Sequence, residues 1–128
     1  MDPQGITTTG VGINKGEIEK SVYDVLIGEC PITEAMIKTK YKNLYVLPAT
    51  INLAGLDIEL LEKSRQENGF LKGEQLKNYL KDIVDSFDFV IIDCPPSLGV
   101  ITTNALTASN SVIIPVQCEF YALEGITQ

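Results

Sequence analysis

Residues 90–97 read Val-Ile-Ile-Asp-Cys-Pro-Pro-Ser, a run of β-branched apolar residues that ends on one carboxylate and breaks on two prolines. An apolar run this short suits a strand buried on both faces, as in a parallel sheet, and predicts such a strand over residues 87–94. An Asp at the carboxyl end of a strand of this kind sits where open α/β sheets bind ligands. In phosphate-binding versions of that fold the same Asp organises Mg²⁺ beside the phosphates. Pro95 and Pro96 force a loop, because they lack N–H donors and exclude helix at the residue before them.

Working outward, strands and helices alternate. Residues 18–28 place Val22, Val25 and Leu26 on one helical face, with Gly28 as a stop signal. Pro31 suits the first turn of a following helix that holds Ala35, Met36 and Ile37. Residues 43–49 read as a strand ending at Pro48. Residues 52–63 read as a helix capped by Asn52, with Leu53, Leu56, Leu60 and Leu61 towards the core. A polar loop is expected at 64–72, and then a helix over 73–86 with Leu76, Leu80, Ile83 and Val84 at helical spacing. A helix at 100–109, a buried strand at 111–116 and a final helix begun near Ala122 complete the order. Strands separated by helices need crossovers, so the fold class is α/β, a parallel sheet flanked by helices.

The chain has 128 residues, enough for one domain with one core. Net charge is −7 and Arg65 is the single arginine, which argues against nucleic-acid binding by this segment itself, since phosphate neutralisation needs clustered Lys and Arg. Three cysteines (Cys30, Cys94 and Cys118) at wide spacing, with no histidine, exclude a zinc pattern and read as reduced thiols of a cytosolic protein. Cys94 and Cys118 fall at predicted strand ends, as small packing residues. No run approaches the length of a membrane span.

A second acidic motif, Asp2-Pro3-Gln4-Gly5, opens the chain. A turn of this kind usually follows another element, so the chain is expected to be a fragment. Residues 1–16, with Gly5, Gly10, Gly12 and Gly16, have loop composition. Gly10–Gly16 superficially suggests a phosphate loop, but no strand is expected before it and no Lys-Ser/Thr pair ends it.

The motifs Asp2-Pro3-Gln4-Gly5, Leu44-Tyr45-Val46-Leu47-Pro48-Ala49, Val90 to Ser97, Thr103-Asn104-Ala105-Leu106 and Tyr121-Ala122-Leu123-Glu124-Gly125 occur in this order. In this combination the chain resembles the ParA/Soj chromosome-partitioning ATPases along essentially its whole length. The resemblance implies a deviant Walker-type P-loop NTPase fold, Rossmann-like, present as a single partial domain over 1–128. The first strand, the phosphate loop and the carboxyl-terminal third of the family lie outside this sequence. It implies ATP and Mg²⁺ as cofactors, a homodimer in the ATP state and a ParB-like stimulator. It further implies nonspecific DNA binding through regions absent here, no membrane, and a cytoplasmic, nucleoid-associated location.

Residue by residue, the resemblance makes Asp2 the carboxylate that positions the attacking water, where the plainer alternative is a turn-forming Asp before proline. Asp93 matches the aspartate that holds Mg²⁺ directly or through water, against a plainer role capping the turn that follows. Pro3, Gln4 and Gly5 resemble a first nucleotide-sensing loop, and Pro95, Pro96 and Ser97 a second; rigid turns are the alternative. Ile6 stands where the family often has Asn. Residues 121–125 are read either as dimer or partner surface or as a plain helix start. Two further functions stay open: a MinD-like division-site ATPase, and a ParA-like interaction module without ATPase activity. On its own, this segment is expected to hydrolyse ATP poorly or not at all.

Overall fold

The computed structural model describes residues 1–66 and 73–115. The expectations for the remainder of the 64–72 loop, Val116, Cys118, residues 121–125 and the final helix lie outside the described residues.

Helix α1 spans Ile6–Gly10, followed by a 3₁₀ turn at Lys15–Glu17, so the glycine- and threonine-rich opening is not wholly loop. Helix α2, Val22–Leu26, is shorter than its apolar spacing suggests because both ends are fixed by specific bonds. At its start the Asp24 carboxylate reaches back and accepts from the Ser21 amide (2.7 Å) and hydroxyl (2.8 Å). At its end Gly28 adopts φ +78°, its amide donates to Val25 O (2.9 Å), and the Glu29 amide donates to Asp24 O (2.8 Å), which closes a Schellman motif.

Helix α3 is the single turn Ile32–Ala35, preceded by Pro31. The helix expected to include Met36 and Ile37 stops at Ala35, because Ile37 and Lys38 form β1. Strand β2, Tyr45–Val46, pairs with β1 in antiparallel register, Ile37 opposite Val46 and Lys38 opposite Tyr45. This two-stranded ribbon is the one sheet among the described residues. A 3₁₀ turn at Ile51–Gly55, entered from Thr50 rather than capped by Asn52, leads into α4, Leu56–Gln66. Helix α5 covers Gln75–Leu80, and its expected continuation to 86 becomes a turn and a 3₁₀ segment at Val84–Ser86. Helix α6 is Val100–Ala108.

The core is helical. Val22, Leu26 and Ile27 of the α2 region meet Leu53, Leu56, Leu60, Leu76 and Val100 in one cluster. Val25, Cys30, Ile32 and Ala35 form a second beneath α3. Leu53, Leu56, Leu60 and Leu76 are buried as their spacing predicts, and Leu80 and Ile83 pack at the edge. Leu61 is exposed instead. Within α6, Asn104 is fully buried: its Oδ1 accepts from the Leu76 amide (3.0 Å) near the start of α5, and its Nδ2 donates to Val100 O (2.9 Å). That side chain caps one helix from the interior of another.

The predicted buried strand at 87–94, and the one at 111–116 over its described residues 111–115, are corrected. Phe89 is 87% exposed, Ile91 93% and Ile113 91%, and residues 88–93 make no ladder bonds among the described residues. A strand is buried by its neighbours, and no described strand lies beside either run.

Candidate functional site

Asp2 opens a tight turn. The Gly5 amide donates to Asp2 O (2.9 Å), and the Gln4 amide donates to Asp2 Oδ1 (2.9 Å), an Asx turn that leaves Oδ2 without a hydrogen bond among the described residues. The turn-forming and chemical readings of Asp2 are therefore compatible. Gly5 is required here: its φ is +58° and a Cβ would fall 2.8 Å from Ala49 O. Thr8, buried, accepts from the Ala49 amide at 3.4 Å, which pins α1 to the end of the β2 segment.

Asp93 ends the 88–93 stretch and meets this turn. Its Oδ2 accepts from the Thr7 hydroxyl and its carbonyl accepts from the Met1 ammonium (2.6 Å), so two motifs about ninety residues apart in sequence come together. The Met1 ammonium is pushed below its usual 8.0 by burial; the nearby Cys94, Asp93 and Asp2 pull it back up in part. Burial raises the Cys94 thiol above its usual 9.0, with Asp93 and Asp2 adding to the rise and the Met1 ammonium opposing it. Asp2 and Asp93 both line a cavity of about 670 Å³ between the β2 region and residues 86–93.

Pro95, Pro96 and Ser97 are not part of that lining. They form a turn, with the Ser97 amide donating to Pro95 O (2.8 Å), and Thr102 of α6 bonds the Ser97 carbonyl. Pro3 and Gln4 sit within the Asp2 turn itself. Two residues that the sequence reading passed over belong to the site. Thr7 bridges to Asp93, and Lys15 folds back so that its Nζ donates to the Gln4 carbonyl. The Thr7-Thr8-Thr9 run was the available signal for the first; nothing in the spacing marks Lys15. Residues 10–16 hold the end of α1 and a 3₁₀ turn and do not form a phosphate loop.

Chemically, the Asp93 carboxylate, the Thr7 hydroxyl and Oδ2 of Asp2 are hard oxygen donors. One carboxylate completed by water fits Mg²⁺. Among the described residues no group of three or more acidic, Cys or His side chains is gathered for a metal, and no helix is long and apolar enough to cross a membrane.

Residues 1–128 match the AAA domain family. The chain belongs to that family. It is 49% identical over 128 residues to the sporulation initiation inhibitor protein Soj of Bacillus subtilis, covering 100% of this chain and 48% of Soj. It is 43% identical to the chromosome partitioning protein ParA of Myxococcus xanthus, covering 100% of this chain and 43% of that protein. The chain thus spans about half the length of the curated relatives it matches. A crystal structure titled cobyrinic acid a,c-diamide synthase from Mycobacterium smegmatis, with bound ADP and magnesium, superposes with a TM-score of 0.85 at 41% identity, covering 98% of this chain and 48% of that one. The fold class read from the sequence therefore stands: the AAA-family chain is a partial α/β P-loop NTPase fold, although its described residues pair only in the antiparallel ribbon.

Proposed function

We propose that this chain is the central part of a partitioning ATPase of the ParA/Soj type, which uses ATP and Mg²⁺ as a nucleotide-switched dimer on DNA. One observation carries the reading: the Asp2 turn and Asp93, both motifs of that family, meet through Thr7 and Met1 at one cavity mouth. The names of the Soj and ParA relatives support partitioning, and the ADP and magnesium in the Mycobacterium smegmatis structure support the cofactors.

In this reading Asp93 holds Mg²⁺ directly or through water, with Thr7 orienting its carboxylate. The ion, when bound, neutralises charge on the phosphates. Asp2 presents Oδ2 to the attacking water and orients it, while its other oxygen stays locked in the turn. Lys15 holds the Gln4 carbonyl and so fixes the turn that carries Asp2. Pro3, Gln4 and Gly5, with Pro95, Pro96 and Ser97, form the segments whose order follows the nucleotide. Nucleotide binding then shifts the population of a dimer that engages DNA nonspecifically, and a ParB-like partner promotes its release. The protein works in the cytoplasm at the nucleoid. Two carboxylates with only Lys15 folded against their turn do not hold a triphosphate unaided. Tight MgATP binding by these 128 residues alone, read by calorimetry, contradicts that statement.

The test replaces the matching half of Bacillus subtilis Soj with this chain and measures Mg²⁺-dependent ATP binding. The chimera is expected to bind, and its Asp93→Asn variant to lose at least about tenfold in the Mg²⁺ dependence of that binding. Equal Mg²⁺ dependence in chimera and variant overturns the role of Asp93.

A further inference from the structure

Residues 37–46, which form the β1–β2 ribbon and its turn, read Ile-Lys-Thr-Lys-Tyr-Lys-Asn-Leu-Tyr-Val. Three of the chain's ten basic residues, Lys38, Lys40 and Lys42, stand here within five positions, and no acidic residue occurs between Glu34 and Asp57. In a chain of net charge −7 this is a local reversal of sign. All three lysines are exposed.

The backbone that carries them is fixed. Thr39 is buried, and its hydroxyl donates to Leu44 O (3.0 Å) while accepting from the Tyr41 amide (3.1 Å). The Thr39 amide donates to the same carbonyl (3.0 Å), the Leu44 amide donates to Tyr41 O (3.4 Å), and Asn43 closes the turn at φ +60°. With Thr39 turned inward, alternation turns Lys38 and Lys40 outward. Because 39·44 is a hydrogen-bonded pair, the Lys38 amide and carbonyl face away from β2.

The other lysines differ in their surroundings. Lys15, Lys20, Lys63 and Lys81 each donate to an oxygen of the chain. Lys38 and Lys42 have no hydrogen-bond or ion-pair partner among the described residues, and Lys40 Nζ lies 5.3 Å from the centroid of the exposed Tyr41 ring. A lysine on a strand edge guards against unwanted pairing. That role accounts for Lys38 but not for two more lysines and an exposed tyrosine in the turn.

We propose that the tip of this ribbon docks an extended acidic segment of a partner protein, with carboxylates at alternate positions. Alternate side chains of a strand stand about 6.6 Å apart, which is the spacing at which Lys38 and Lys40 leave β1. The outward Lys38 amide and carbonyl receive main-chain bonds from a segment laid along β1, and Tyr41 adds a rigid aromatic contact among the charges. A duplex nucleic acid fits less well. Its charges, one per about 1.7 Å of axis, run on past the patch, and within a screening length of about 8 Å they meet a chain that carries 17 acidic residues.

The experiment titrates the full 128-residue chain with a fluorescent, amidated peptide of about seven residues that alternates Glu and Thr, long enough to span the three lysines at strand rise. Anisotropy reads binding, and mass spectrometry after brief acetylation reads which lysines are covered. The expected result is saturable binding that weakens with salt, with slower acetylation of Lys38, Lys40 and Lys42 and unchanged acetylation of Lys77 and Lys81. The triple variant Lys38→Gln, Lys40→Gln, Lys42→Gln is expected to weaken binding at least about tenfold. The double variant Lys77→Gln, Lys81→Gln, on exposed positions elsewhere, is expected to bind as the parent does. The proposal is overturned by absence of saturable binding, by equal loss in the two variants, or by equal binding of a peptide with the same composition and its Glu residues in one block. It is also overturned if a duplex oligonucleotide covers the same three lysines and binds more tightly than the peptide, since the occupant is then a nucleic acid.

Discussion

Asn104 is the polar residue most deeply placed in the helical core, and its amide serves two helices at once. Its carbonyl oxygen satisfies the Leu76 amide near the start of α5, a donor that the helix cannot satisfy internally. Asn104→Ala leaves that buried donor unpaired and is expected to cost about 1–3 kcal/mol, read as a lower urea midpoint at unchanged slope. The sequence marked Asn104 only as a member of a family motif. Its role was not legible because helical spacing identifies apolar faces, while a polar residue on such a face gives no sign of which distant amide it will meet. Thr7 was illegible for the same reason, its partner lying 86 residues away. The turn at Asp2 was legible because an Asp before Pro leaves a local signature, whereas Asp93 was marked by the end of an apolar run and not by any described strand.

At the scale of elements, helices were read from apolar periodicity, with a terminus signal at only some of their ends. Gly28 marked the end of α2, while its start, expected at residue 18, is set by the Ser21–Asp24 pair, which the sequence reading passed over. The Gly28→Ala variant puts a Cβ at φ +78° and 3.2 Å from the Tyr79 hydroxyl, and a loss of about 1–2 kcal/mol is expected in denaturant unfolding. The helices expected to continue through Met36 and Ile37, and from 81 to 86, end sooner because side-chain spacing does not encode which backbone carbonyls find partners. The strands were the weakest expectation. An apolar run at 87–94 says that the segment is built for burial on two faces, but burial needs neighbours on both sides. Among the described residues that stretch instead borders the cavity, with Ile92 packed on the core and Ile91 turned to solvent.

For the whole molecule, the buried thiols set the response to pH at the alkaline end. Burial holds both Cys30 and Cys94 above the usual 9.0, so the folded chain keeps these protons while the unfolded chain releases them. More protons bound in the folded state means that stability is fully present below about 9 and falls as pH rises through the folded-state values. Thermal unfolding from pH 8 upward is expected to show this decline, and a Cys30→Ala, Cys94→Ala double variant to flatten it. An unchanged slope in that variant removes the thiols from the account.

The central claim is that the Asp2 turn, held against Asp93, orients water for ATP hydrolysis. Its most direct test is single-turnover ATP hydrolysis by the Soj chimera carrying Asp2→Ala, with MgATP binding measured in the same preparation. The account predicts retained MgATP binding with hydrolysis slowed about a hundredfold or more. Hydrolysis at the parent rate, with binding intact, contradicts it.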